Sequence, residues 1–236
     1  MTSVKDAKSF SLSSLNAGKT VTDTPVEMSI LPSGIGYIKI NTFEGDSVLI
    51  SHSWENALKT LDQAGVPALI VDARQNGGGS GLLSQYFAGS FYTTGFVEDK
   101  TLEADKNGKF VEVGADHVDP APVQWTKPVA VLVGPACFSA CEIFAGAMAH
   151  NPDNLIVGRY PTAGVEAGVE PWTLPGGIYF QAPVQRLVDT AGNIFLEGVG
   201  VKPNVKVPVT VQSLLSTDDP DIPAAEKALQ AKIPPQ

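Results

Sequence analysis

Three short, continuous apolar runs, separated by helix-forming stretches, constrain this chain more than any other feature. They are VPALIVDAR (66–74), KPVAVLVG (127–134) and NLIVG (154–158). Unbroken apolarity over strand length suits strands covered on both faces, as in a parallel sheet. GIGYIKINTF (34–43) reads as a further buried strand. Between them, SWENALKTLDQAG (53–65) reads as a helix, with Trp54, Ala57, Leu58 and Leu61 on one face, Ser53 as cap and Gly65 as stop. LLSQYFAGSFY (82–92) starts a second helix, and Ser139 to His150 forms a third. The order strand, helix, strand, helix, strand, helix, strand is α/β alternation.

Several segments break a plain doubly wound pattern. EADKNGKFVEV, within 98–124, predicts a hairpin turning at Asn107-Gly108. It is not an EF-hand. Glu103, Asp105 and Asn107 imitate the early ligands, but the twelfth position is Gly114. Short strands are expected in 175–189 and 200–210, and a short helix near 224–230.

Composition removes several classes of function. The chain has 236 residues, 43% of them hydrophobic and 17% charged, enough for one sizeable domain with a real core. Net charge is −9, with no basic stripe for nucleic acid and no polybasic membrane patch. No apolar run approaches the roughly 20 residues that span a bilayer. Two cysteines and three scattered histidines (His52, His117, His150) make no metal-ligand cluster, so neither a metal nor another cofactor is expected. Cys137 and Cys141 could just bridge at this spacing, but two buried free thiols are the expectation.

Two segments carry chemistry. NGGGSG (76–81) joins a buried strand to a helix, and its glycines can turn backbone N–H groups toward a ligand. It is neither a P-loop, lacking the lysine, nor a GxGxxG turn. CFSACEIFAGAM (137–148) also joins a buried strand to a helix. Ser139 at that helix N-terminus has two readings. Ser139-Ala140-Cys141-Glu142 is an S-x-x-E capping box, which would explain Ser139 and Glu142 without chemistry. Alternatively Ser139 is a nucleophile, with the Ala140 N–H and the helix dipole facing a developing oxyanion. Two backbone donors and one hydroxyl, each at the end of a buried strand, are the parts of an acyl-transfer site.

These residues resemble the S41 peptidases, the carboxy-terminal processing and tricorn-core family. VPALIVDARQNGGG resembles the family's strand and glycine signature. KPVAVLVGPACFSACEIFAGAMAHNPDNLIVGRYPTAG resembles its nucleophile strand, helix and following strand. LEGVGVKPNVKVPVT (196–210) resembles its closing E-x-x-G-V-x-P-D segment, with Asn204 in place of Asp. The similarity spans roughly residues 30–230. It implies an α/β fold of the ClpP/crotonase kind, a superhelix of β-β-α units carrying β-hairpin insertions. It implies a peptidase core over 31–210, preceded in 1–30 by a linker or the edge of a PDZ-like region and followed in 211–236 by a tail with a short helix. It further implies Ser139 as nucleophile, with Ala140 and a glycine of the 77–79 loop, Gly78, as oxyanion donors. Gly77, Gly79 and Glu142 would support them.

The chain departs from the Ser–Lys branch of that family. The lysine expected after P-T-x-G is Val165, and no lysine lies between Lys127 and Lys202. The resemblance then points to the Ser–His–Glu branch, with Glu197 as the carboxylate. The histidine in that branch lies upstream of the core, so it is expected from a preceding domain of a longer peptidase. Of the chain's own histidines, His150 stands about 16 Å along the helix from Ser139 at 1.5 Å per residue. Glu166 reads as a rim carboxylate. The expected partner is a peptide or protein substrate, with no nucleic acid and no membrane span. The parent is expected to be periplasmic or extracellular, although no signal peptide follows Met1. A catalytically silent peptide-binding module and an esterase use the same parts. An acyl-thioester enzyme shares the two-donor oxyanion hole, but Ser139 and the closing segment weigh against it.

Overall fold

A computed structural model describes residues 24–233. Its centre is a six-stranded sheet in the order β1-β2-β3-β6-β7-β11. The strands are β1 (Val26–Ile30), β2 (Gly36–Ile40), β3 (Leu69–Asp72), β6 (Val129–Leu132), β7 (Leu155–Gly158) and β11 (Val205–Lys206). β1 pairs antiparallel with β2, and the remaining pairs are parallel. Residues 26–30 therefore belong to the sheet. The rest of the linker expected over 1–30 lies mostly outside the described residues.

The unbroken apolarity of the central strands has the cause expected of it. Leu69 and Val71 of β3, Val129 and Val131 of β6, and Ile156 of β7 face one core. Ile70, Ala130, Leu132 and Val157, in the alternate positions, face a second. Helices α1 (Ser47–Gln63), α2 (Gly81–Ala88) and α3 (Ala140–His150) supply residues to the first core, and α5 (Asp221–Gln230) covers the second with Ala225 and Leu229. Burying both faces gives the sheet its stability, at roughly 1.5–3 kcal/mol per fully buried large apolar side chain. A short helix α4 (Val211–Leu215) precedes α5. The closing helix is thus part of the core, more than the tail read from the sequence.

Helix α1 begins six residues before the expected start. Asp46 caps it, accepting from the Val48 and Leu49 N–H groups at 2.9 and 3.1 Å, while the Ser53 hydroxyl donates to the Leu49 carbonyl. The reason is the exposed first turn. Val48 and Leu49 face solvent, so the apolar stripe becomes visible only from Ile50 onward.

The insertions form two satellites. β4 (Phe96–Ala104) and β5 (Phe110–Val118) make the expected hairpin, and β10 (Gln185–Val188) adds to β4 in a three-stranded sheet. β8 (Val169–Leu174) and β9 (Ile178–Pro183) make a two-stranded ribbon with Trp172, Leu174, Ile178, Tyr179 and Phe180 exposed. Asn204, at the position where Asp was expected, accepts from the Ile156 N–H at 2.8 Å and donates to the Asn154 carbonyl at 2.9 Å, which ties the closing segment to β7.

Candidate active site

The glycine loop and the start of α3 both leave the sheet at the same ends of its parallel strands, the usual place for a site in such sheets. β3 ends at Asp72 and β6 at Leu132, neighbours in parallel register. The two loops touch. The Phe138 N–H donates to the Asn76 carbonyl at 3.4 Å. A Cβ on Gly78 would stand 2.8 Å from the Phe138 carbonyl oxygen, 2.9 Å from Ser139 Cβ and 3.1 Å from the Ala140 nitrogen. Only glycine fits there, and its φ of +90° requires glycine as well.

Ser139 is the sole non-glycine residue with positive φ among the described residues, at φ 55° and ψ −132°. Such a conformation costs about 1–3 kcal/mol and persists only when neighbours impose it. The neighbours are visible. The Ser139 N–H donates to the Val165 carbonyl at 2.9 Å, and its own carbonyl accepts from the Glu142 and Ile143 N–H groups at 2.6 and 3.3 Å. The side chain makes no capping bond. The capping box read from S-x-x-E is therefore overturned. A box needs an extended N-cap, and this backbone points the Ser139 hydroxyl elsewhere.

Glu142 has a different task. It is fully buried, and its carboxylate accepts from the Thr162 hydroxyl at 2.6 Å and from the Gly164 and Val165 N–H groups, both at 2.7 Å. Thr162 Oγ1 in turn accepts from the Val201 N–H at 2.6 Å. One carboxylate thereby fastens α3, the 162–165 loop and the closing segment together. Glu197 lies on that closing segment, and its Oε2 accepts from the Glu166 N–H at 2.8 Å. A backbone path runs from Ser139 through Val165 and Glu166 to Glu197.

The free thiols expected at Cys137 and Cys141 are also overturned. The two are joined by a disulfide that brackets Ser139, with their Cα atoms 5.3 Å apart. The spacing is i, i+4, but Cys137 sits before the helix, in the turn whose N–H groups bond back to Gly134. That places the pair within bridging distance.

Ala140 is the first residue of α3, so its N–H has no intrahelical acceptor, and none is found elsewhere among the described residues. It is free to donate. The Gly78 N–H, by contrast, donates to Asn76 Oδ1 at 2.8 Å. Gly77 lies beneath the Phe138 ring, and Gly79 forms an isolated parallel bridge with Phe43. Asn76 is fully buried, with its Nδ2 unpartnered, and was not foreseen in the sequence. Its position ahead of three glycines was the available signal.

The three histidines do not join the site. His52 is exposed on α1, His117 is exposed on β5, and His150 ends α3 stacked on Phe96 with ring centroids 4.0 Å apart. Glu166, expected as a rim carboxylate, is instead buried at 5% exposure, because the 165–166 segment packs toward the unforeseen buried carboxyls Glu98 and Asp99 of β4. Burial and neighbouring acids raise Glu98 well above its usual range, Asp99 to about 7 and Glu166 to about 8. Among the described residues no group of His, Cys, Asp and Glu is arranged to hold a metal ion.

With this geometry in place, comparison with known proteins is decisive about family. The sequence pattern of peptidase family S41 matches residues 34–207. The chain belongs to peptidase family S41. It is 31% identical over 177 residues to the carboxyl-terminal-processing peptidase 2, chloroplastic, of Arabidopsis thaliana, a match covering 74% of this chain and 32% of that protein. The S41 chain thus spans about a third of the length of that relative. Its fold follows the crystal structure of a putative peptidase from Parabacteroides merdae, with a TM-score of 0.74, 24% identity, and coverage of 93% of this chain and 69% of that one. It also follows the photosystem II D1 C-terminal processing protease, with a TM-score of 0.62, 25% identity, and coverage of 89% and 54%. The α/β fold expected from the sequence is therefore that of the S41 structures. No helix among the described residues is long and apolar enough to cross a membrane.

Proposed function

We propose that this chain carries the core of a serine peptidase in which Ser139 is the nucleophile. The observation that carries the reading is the positive φ of Ser139, a strained conformation held by its neighbours at the junction of the glycine loop and α3. Strain at a serine whose hydroxyl is released from capping suits a nucleophile better than a structural residue. Ser139 Oγ attacks the substrate carbonyl, and the Ala140 N–H receives the developing oxyanion. Gly78 is the second donor. Its N–H must then be shared with, or released from, Asn76 Oδ1 when substrate binds.

Glu197 orients a histidine that takes the serine proton and stabilises its charged form. His52 and His117 are exposed on α1 and β5 and His150 closes the far end of α3, so the base is assigned to another domain of the parent. Glu142 positions the loop beneath Ser139. The disulfide supports an oxidising compartment, periplasmic or extracellular, for the parent.

A fluorophosphonate probe tests the nucleophile. Labelling of the full-length parent is expected to vanish in Ser139→Ala; equal labelling of both proteins would refute the assignment. A second reading, a peptide-binding module without turnover, is favoured by Val165 standing where the Ser–Lys branch has its lysine. It requires peptide affinity with no Ser139-dependent hydrolysis in the parent. An esterase would instead cleave esters and leave peptides intact.

A further inference from the structure

Between the base of the β8–β9 ribbon and the β10-β4-β5 sheet lies a cleft of about 600 Å³. That is within the range of ligand-binding clefts. Glu166 and Glu197 are among its lining residues, and Glu166 directly follows the residue whose carbonyl holds the Ser139 N–H. The cleft is thereby connected to the proposed nucleophile through a single residue, Val165. Glu103 and Glu170 add two more carboxyls to its walls, against a single base, Arg186.

The existing partners of these groups are few. Glu103 Oε1 accepts from Gln185 Nε2 at 2.8 Å, and Glu197 takes only the Glu166 N–H. Arg186 lies over the Phe110 ring at 3.9 Å and makes no ion pair among the described residues. Glu166 is 5% exposed and its Oε2 has no hydrogen-bond partner. A buried carboxyl oxygen without a partner is costly, and a cation or donor at that point would remove the cost. The walls also offer Phe110 and Ile194, apolar surface for an aliphatic stem.

We infer that this cleft is a subsite for a basic side chain, lysine or arginine, of an extended peptide substrate, with Glu166 meeting its charge. The inference rests on the reading of Ser139 as a peptidase nucleophile and names the substrate class of that same site. A neutral or acidic side chain would leave Glu166 unpaired, and discrimination of that kind is larger than an apolar pocket achieves. Burial first, and then the charges of Glu142 on α3, Asp99 on β4, Glu197 on the closing segment and Asp116 on β5, push the Glu166 carboxyl up to about 8, and Glu98 on β4 is a further acid beside it. A bound cation displaces that proton. Affinity therefore increases with pH up to about 8 and levels off above it.

The test uses the full chain with Ser139→Ala and fluorescent peptide pools that share random flanks and carry one fixed central residue: lysine, arginine, norleucine or glutamate. Anisotropy is expected to show the lysine and arginine pools binding at least about tenfold tighter than norleucine, with glutamate weakest. Glu166→Gln should erase most of that preference in a chain whose melting curve by circular dichroism shows that it remains folded. Equal affinities across the pools, binding by none of them, or an unchanged preference in a folded Glu166→Gln variant would overturn the subsite. If the basic pools are preferred and Ser139 does not label, the cleft stands and the hydrolase reading falls. If Ser139 labels and the pools bind alike, the reverse holds.

Discussion

Replacing Glu142 is the most informative perturbation of this molecule. The carboxylate is fully buried and accepts three hydrogen bonds, two on Oε1 from Thr162 and Gly164 and one on Oε2 from Val165. Glu142→Gln preserves the volume and one acceptor oxygen. If that oxygen keeps the Thr162 and Gly164 bonds, the new amide meets the Val165 N–H, donor against donor. Losing one bond to a charged acceptor costs about 1.5–3 kcal/mol, and the opposed donors bring the total to about 2–4 kcal/mol. At roughly 2–4 °C per kcal/mol for a chain of this size, the melting temperature should fall by about 4–16 °C. Glu142→Ala strands all three donors at about 1–3 kcal/mol each, a loss comparable to the whole stability of a domain, and should prevent folding at 37 °C. The assay is thermal unfolding by circular dichroism, together with fluorophosphonate labelling of the same variants in the parent. Val165 also holds the Ser139 N–H, so labelling should slow even where Glu142→Gln remains folded. A melting temperature within about 2 °C of the unaltered chain, together with unchanged labelling, would refute the clamp.

Gly78→Ala should slow labelling by about 100-fold, because the new methyl displaces Ser139 and Ala140. Gly108→Ala imposes the same positive-φ penalty with open space around it, so it should cost about 1–2 kcal/mol and leave labelling alone. Equal effects of the two on labelling would sink the steric explanation. Removing the Cys137–Cys141 bridge, by excess dithiol or by the double alanine variant, opens a five-residue loop worth about 2 kcal/mol, and melting should fall by roughly 4–8 °C. An unchanged melting curve after confirmed reduction contradicts this. Glu98, Asp99 and Glu166 have carboxyls raised in the folded state. Each binds a proton more tightly folded than unfolded, so stability is greatest below the unfolded values near 4 and declines as pH rises toward 7–8. Melting temperatures measured from pH 5 to 8.5 should decrease, and a flat or rising series would show that these groups ionise freely.

The sheet was legible because its strands are buried on both faces, which writes Leu69–Asp72, Val129–Leu132 and Leu155–Gly158 as unbroken apolar runs. The hairpin turn was legible from Asn107-Gly108. The candidate site residues were singled out by order and chemistry, but their geometry was hidden. S-x-x-E describes both a capping box and a strained serine, and only the φ of Ser139 separates them. The disulfide was obscured because i, i+4 spacing suggests a shared helix, whereas Cys137 lies outside it. Glu98 and Asp99 lie near the start of β4, where the local sequence gives no sign of burial. Their burial depends on β4 docking near α3, where Glu98 approaches Gly146, and no local pattern announces such a contact.

Arg74 sits just past β3, at the entrance to the glycine loop. It donates to Asp72 beside it and to Asp219 and Asp221 nearly 150 positions later, all at 2.7–2.9 Å. Helix α5, which begins at Asp221, also closes the second core. On a ribosome, then, β3 and β6 emerge with one face of the sheet bare and Arg74 short of two of its three carboxylates. The turn that carries Ser139 is synthesised well before α5, but the strands that support it are not fastened until Asp219, Asp221 and α5 arrive. The order of synthesis thus leaves the Ser139 turn on an unfinished scaffold until Asp219, Asp221 and α5 have emerged. Chains stalled before residue 219 should resist fluorophosphonate labelling, and labelling of such chains would show that the site matures without α5.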